Sequence, residues 1–331
     1  MRTEFISTGM YVPPRVVTNQ DLAALMETSD EWIVQRTGIR ERHWVETPGT
    51  GTAEVAEHAA RQALERASMK PEELDAIVFA TLSPDHYFPG SGCLLAARLG
   101  LSQTPALDVR NQCSGFLYGL QVADGWIRAG TYKRILLVGA EVHSGGLDKT
   151  TRGRDVACLF GDGAGAVVLG PAQDESRGVR ALKLGADGRH AGDLWLEGMG
   201  TAFPNIVDEQ QLAEGKQFPR MEGSKVFKHA IVKMPAVTRA VLEEEGISMD
   251  ELKLFVPHQA NLRISEAVQR SLGLRDDQVF NNIQKYGNTT AASIPMALHE
   301  ALAEGRATRG DYIALAAFGA GFTWGAALVR W

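Results

Sequence analysis

The apolar positions of this chain fall into two alternating patterns. Over Gly51–Met69, the residues Ala53, Ala56, Ala60, Ala63, Leu64 and Ala67 recur at helical spacing, which predicts an amphipathic helix. Ala76–Leu82 (AIVFATL) and Ile135–Ala140 (ILLVGA) are unbroken apolar runs, which predict strands buried on both faces. A strand is also predicted over Thr3–Tyr11, and a helix over Ser91–Leu99. Thr18 and Ser29 suit helix N-caps, and Gly38 stops the second of those helices. Further on, Val179–Leu184, Leu252–Pro257, Tyr312–Ala317 and Trp324–Val329 read as strands. Met221–Glu245 reads as a long helix that Pro235 should kink. Ile264, Ala267, Val268 and Leu272 form the apolar stripe of a helix ended by Gly273, and Ala291–Glu304 is a further helical run.

Both halves repeat one order: a buried strand, a turn carrying polar chemistry, a helix, and a glycine turn feeding a strand. Ala76–Leu82 corresponds to Leu252–Pro257, and Gly161–Leu169 to Phe318–Val329. This predicts a duplicated α/β unit, divided into residues 1–170 and 171–331, with its site between the halves. The run Gly161-Asp162-Gly163-Ala164-Gly165 does not read as a phosphate loop. Such a loop opens a helix, and here the strand-like AVVLG follows. Gly185–Pro219 is a long irregular stretch, a length usually kept for function.

Charge and cysteine content narrow the classes. A net charge of −6 on 331 residues argues against a nucleic-acid partner. The three cysteines, Cys93, Cys113 and Cys158, are too few and too scattered for a disulfide framework or a zinc site, and fit a reducing cytoplasm. MRTEFISTGMYVPP holds no long apolar run, so neither a signal peptide nor a membrane span is expected.

The candidate chemistry centres on LDVRNQCSGFLYGL, Leu107–Leu120, which reads as strand, sharp turn and helix. Cys113 then sits at a helix N-terminus, where unpaired N–H groups favour a thiolate. The alternative is a small buried thiol packed under the helix. His258 (VPHQAN) and Asn288 (YGNT) occupy similar positions between a strand or turn and a helix, where α/β sheets build their sites. Asn261 and Asn288 equally suit helix N-caps. Trp32 and Arg36, four apart, share a helix face that can hold a flat ring and a phosphate; equally, the indole can pack on the core with the guanidinium over it.

TSDEWIVQRTGIRER, DVRNQCSGFLYGL, LFGDGAGAVVL, VPHQANLRI, KYGNTTAASIP and FGAGFTWGAALV, spread in the family's order over nearly the whole chain, resemble the motifs of beta-ketoacyl-acyl carrier protein synthase III, a condensing enzyme of the thiolase superfamily. The resemblance implies a duplicated five-layer αβαβα fold, normally a homodimer. It implies that Cys113 takes an acyl group from acyl-CoA, and that His258 and Asn288 promote decarboxylation of malonyl-acyl carrier protein. Such chemistry needs no metal or redox cofactor. The backbone N–H groups of Cys113 and Gly319 are the implied oxyanion hole. Trp32, Arg36 and Arg152 match positions that hold CoA; Asn261 matches one near the pantetheine. Phe227 and Phe318 match tunnel and acyl-pocket positions, and Phe88 one that crosses to the partner's pocket.

Three stretches depart from the family pattern: Arg110-Asn111-Gln112 before the nucleophile, Leu147–Thr150, and the long Gly185–Pro219. They leave the chemistry unchanged and the acyl donor open between acetyl-CoA and branched or longer donors, with Trp195, Met199 and Phe203 as an adaptable pocket wall. A long-chain or secondary-metabolite condensation at the same Cys-His-Asn site is the alternative. A cysteine hydrolase is disfavoured because His258 has no acid partner in the motif, and a binding subunit because all three site residues are present.

Overall fold

The computed structural model describes residues 1–331. A five-stranded sheet runs in the order Thr3–Tyr11, Gly163–Pro171, Ile135–Glu141, Ala76–Ala80 and Ala106–Val109. Successive pairs are antiparallel, antiparallel, parallel and parallel. A second sheet runs Gly178–Ala186, Thr323–Arg330, Tyr312–Gly319 and Leu252–Pro257, with pairs antiparallel, antiparallel and parallel. The place of a fifth strand is taken by a single parallel bridge, Phe255 to Val279. The two sheets thus follow one plan.

Helices separate and cover the sheets. Gly115–Arg128 and Ser293–Ala303 lie between them, and their Phe116, Leu117, Leu120, Ile294 and Leu298 share one core with Val78, Leu137, Leu254 and Leu315. Thr52–Arg66 and Ser91–Arg98 cover the outer face of the first sheet. Gly223–Glu245 and Leu262–Leu272 cover that of the second. Helix, sheet, helix, sheet, helix makes the five-layer thiolase-like arrangement. Sheets buried on both faces explain the unbroken apolar runs.

Local signals set many boundaries. The helix Asp30–Thr37 is capped by the Ser29 hydroxyl, which accepts the Trp32 N–H, and it ends at Gly38 with φ 77°. The Gly161–Gly165 run opens the strand Gly163–Pro171, as its sequence predicts. A Cβ on Gly165 would stand 2.7 Å from the Met296 nitrogen, so the glycine lets the central helix close on the sheet. The helix Gly223–Glu245 continues through Pro235. No helix is long and apolar enough to cross a membrane.

Gly185–Pro219 is more ordered than expected. It holds a 3₁₀ segment Gly188–Asp193, a short helix Glu209–Ala213, and a two-stranded ribbon of Leu194–Leu196 with Pro219–Met221. Strand alternation corrects the expected pocket wall. Leu194 and Met221 are direct ribbon partners and line the central cavity, whereas Trp195 and Met199 are 43% and 47% exposed and Phe203 lies outside it.

Candidate active site

The two halves meet around a cavity of about 530 Å³. It is lined by Cys113, His258 and Asn288 in its depth, by Phe227, Phe318 and Gly319 along its wall, and by Trp32, Arg36 and Asn261.

The strand Ala106–Val109 leads to Gln112, which is held at φ 44°; a single 3₁₀ turn, Gln112–Ser114, then feeds the helix Gly115–Arg128. A left-handed non-glycine residue immediately before Cys113 is the kind of strain that functional turns retain. Cys113 is therefore at a helix start, as its sequence suggests, but it is not ionised there. Burial, followed by the negative Glu141 nearby, pushes its thiol up to about 12. The N–H groups of Ala320 and of Cys113 itself oppose this and lose. Of the two readings the sequence leaves open, burial favours the buried thiol over the resting thiolate.

The N–H groups facing the sulfur are those of Cys113 and Ala320, Ala320 being one residue beyond the Gly319 that the resemblance implied. Gly319 supplies clearance: a Cβ there would lie 2.5 Å from the Cys113 Cβ and 2.8 Å from its sulfur.

His258 follows the parallel strand Leu252–Pro257 and is 3% exposed. Its Nδ1 lies 2.6 Å from Ser293 Oγ, and its Nε2 has no hydrogen-bond partner. Burial pushes its pKa down to about 3, so the ring is neutral at physiological pH. Ser293 Oγ also accepts the Gln259 N–H at 3.3 Å. A hydroxyl can donate to Nδ1 or accept from it, so Ser293 supports either tautomer.

Asn288 is not a helix cap. Its Oδ1 accepts the Thr290 N–H at 2.9 Å, its own N–H bonds the Leu159 carbonyl at 2.8 Å, and its carbonyl accepts the Gly161 N–H at 3.1 Å. With Oδ1 occupied, Nδ2 is the group left for the cavity. Asn261, in contrast, is a cap: Oδ1 accepts the Arg263 N–H at 3.0 Å and Nδ2 donates to the Arg36 carbonyl at 2.9 Å.

At the mouth, the Arg36 guanidinium lies 4.3 Å from the Trp32 ring centre, and that of Arg154 lies 5.1 Å from the same ring. Arg154, not Arg152, is thus the second cation at this indole. Arg152 is held by Asp148, four residues earlier, at 2.5 Å and leans over Phe218. Phe88 is 81% exposed and packs edge-to-face on Tyr87, outside its own chain's cavity.

Sequence reasoning passed over Ala320, Ser293 and Arg154, and also Glu141 and His143. Glu141 ends the strand Ile135–Glu141 fully buried, accepting from Ser83 Oγ at 2.5 Å, Thr81 Oγ1 at 3.1 Å and the Leu82 N–H; burial pushes its pKa up to about 7. His143 Nε2 lies 2.7 Å from Thr290 Oγ1, so it supports the turn that orients Asn288. A carboxylate and an imidazole closing the apolar run ILLVGAEVH were the available signal. No cluster of three or more His, Cys, Asp or Glu side chains could hold a metal ion.

Residues 107–188 match the family model described as 3-oxoacyl-[acyl-carrier-protein (ACP)] synthase III, and residues 242–331 match its C-terminal counterpart. The beta-ketoacyl-[acyl-carrier-protein] synthase III of Rhodospirillum centenum is 46% identical over 100% of this chain and 99% of its own length. The crystal structure of the Aquifex aeolicus 3-oxoacyl-[acyl-carrier-protein] synthase III superposes with a TM-score of 0.90 at 42% identity, covering 99% of this chain and 100% of that one. A priming beta-ketosynthase from a polyketide biosynthetic pathway superposes at 0.89 with 30% identity, covering 99% and 96%. Full-length identity at this level, together with a cavity that gathers the same motifs, makes this chain a member of the beta-ketoacyl-acyl carrier protein synthase III family.

Proposed function

We propose that this chain primes fatty acid synthesis by joining an acyl group from acyl-CoA to malonyl-acyl carrier protein, with loss of carbon dioxide, to give a 3-ketoacyl-acyl carrier protein. The observation that carries this is the convergence of Cys113, His258 and Asn288 in one cavity that reaches the Trp32–Arg36 pair.

In the first half-reaction the Cys113 sulfur attacks the thioester carbonyl of acyl-CoA. The thiol proton passes to His258 Nε2, a neutral nitrogen free to accept it. The carbonyl oxygen takes the N–H groups of Cys113 and Ala320 as it becomes an oxyanion. The carbon–sulfur bond to CoA then breaks, the proton returns to the departing thiolate, and acyl-Cys113 remains. Trp32, Arg36 and Arg154 hold the nucleotide end, the adenine on the indole and the phosphates on the cations.

Between the half-reactions the neutral imidazole moves its proton from Nδ1 to Nε2, the Ser293 hydroxyl turning from acceptor to donor at Nδ1; the malonyl thioester oxygen then lies between His258 Nε2–H and Asn288 Nδ2–H. The bond to the carboxylate breaks, carbon dioxide leaves, and the enolate charge rests on these two neutral donors. A neutral imidazole neither protonates nor over-stabilises the carbanion. The carbanion attacks the acyl carbonyl, the sulfur–carbon bond breaks, and the departing Cys113 thiolate takes up a proton from solvent, the one proton that the overall reaction consumes. Phe227 and Phe318 wall the tunnel and the acyl pocket. No metal or redox group enters this scheme. Residues 1–170 supply the nucleophile and 171–331 the enolate donors. A homodimer would place Phe88 of each protomer in its partner's pocket.

A second reading, condensation of a longer or secondary-metabolite acyl donor at the same site, is favoured by Leu194 and Met221, which bring the long ribbon segment onto the cavity wall. Incubation with a panel of acyl-CoAs and malonyl-acyl carrier protein tests both. Carbon dioxide with a ketoacyl product is expected, and the best donor's length chooses between them. Release of free fatty acid without condensation would contradict both.

A further inference from the structure

Arg42 is one of the largest fully buried side chains in the molecule, yet all three of its acceptors are neutral. Nη1 donates to Asn19 Oδ1 at 2.8 Å and to the Val17 carbonyl at 3.2 Å; Nη2 donates to the Cys158 carbonyl at 2.7 Å; Nε has no partner. Burial lowers its pKa to about 10, which leaves it charged at neutral pH. A buried cation without a carboxylate in its fork is costly compared with an apolar side chain of similar volume.

One arm leads to the cavity mouth. Asn19, whose Oδ1 Arg42 holds, donates from Nδ2 to Asp30 Oδ1 at 2.7 Å and to the Ile39 carbonyl at 2.9 Å. Asp30 opens the helix Asp30–Thr37 that carries Trp32 and Arg36, and Ile39 follows its end. The other arm leads to the cavity floor. Cys158, Leu159 and Phe160 line the cavity, and Asn288 is bonded to the Leu159 carbonyl and the Gly161 N–H. The Arg42 Cβ itself fits against Gly161 and Gly287, where a Cβ on either would stand 3.2 Å from it.

We propose that Arg42 is a positioning residue that fixes the nucleotide platform of Trp32 and Arg36 relative to Asn288. Its planar fork reaches both walls, and a lysine, a point donor on a single stem, cannot hold two directions at once. The inference rests on the reading of Asn288 as the enolate donor.

The test compares Arg42→Lys with Asn19→Ala, which cuts only the mouth arm. For each, acyl-CoA KM, malonyl-acyl carrier protein decarboxylation, thermal midpoint and Cys113 alkylation are measured. Asn19→Ala should raise acyl-CoA KM about fivefold, the worth of one hydrogen bond, and leave decarboxylation unchanged. Arg42→Lys should raise KM and also slow decarboxylation ~10–100-fold, as a misplacement at a distance does. Cys113 alkylation should be unchanged in both. An Arg42→Lys protein with a lower midpoint but parental KM and decarboxylation would overturn the proposal. Asn288→Ala keeps the two readings apart. If it decarboxylates normally, the enolate assignment fails on its own account; if it is defective while Arg42→Lys is not, only the Arg42 proposal fails.

Discussion

His258 Nδ1 and Ser293 Oγ stand 2.6 Å apart, although 35 residues separate them. This contact joins the end of a parallel strand to the start of a central helix and leaves Nε2 without a hydrogen-bond partner. Because the hydroxyl can donate or accept, it lets one imidazole take a proton in acylation and present one to the enolate. Ser293→Ala should therefore lower condensation kcat ~10–100-fold, an orientation effect, with acyl-CoA KM unchanged. Steady-state kinetics check this; parental kcat would show that the ring needs no such partner.

The mouth gives a sharper contrast. Trp32→Ala and Arg154→Ala should each raise acyl-CoA KM, ~10-fold when combined, with little change in kcat, because the contacts lie far from the reacting carbon. Arg152→Ala should leave KM unchanged, since Asp148 holds its guanidinium away from the indole. An effect of Arg152→Ala equal to that of Arg154→Ala would contradict the placement.

The state of the nucleophile is measurable directly. With its pKa pushed up to about 12 by burial, Cys113 carries a thiolate fraction that rises with pH across the whole accessible range. In a Cys93→Ser, Cys158→Ser background, iodoacetamide labelling of the resting protein should accelerate ~10-fold per pH unit from pH 7 to 10 without levelling. A plateau below pH 9 would mean a thiolate stabilised by the helix end after all.

Much of this molecule is legible in its sequence where the cause is local. Ser29 and Gly38 bracket the helix Asp30–Thr37 because capping and left-handed backbone act over three or four residues. Cys113, His258 and Asn288 could each be nominated because strand ends and turns mark where sheets build sites. What escaped depends on distant groups. The choice between Arg152 and Arg154 is made by Asp148 and Trp32, and nothing in TTRGR records it. The Cys113 thiol is raised by burial, to which Gly319 from the far end of the chain contributes, and by Glu141, and neither shows in the local sequence. Trp195 faces outward and Leu194 inward because of ribbon pairing with residues 219–221, which the irregular sequence there does not announce. Ser293 gives no sign of its partner until the fold brings strand and helix together.

The central claim is that Cys113 carries the acyl group while Asn288 serves only the enolate. Intact-mass spectrometry of Asn288→Ala, incubated with acyl-CoA and then malonyl-acyl carrier protein, tests it most directly. The account predicts a full acyl mass increase on Cys113 that persists after malonyl-acyl carrier protein is added, since losing one donor slows the enolate step ~10²–10³-fold. In parallel, His258→Ala should acylate slowly, because the buried thiol then has no neighbouring base. An Asn288→Ala protein that fails to acylate, or that sheds its acyl group as free acid, would contradict the division of roles.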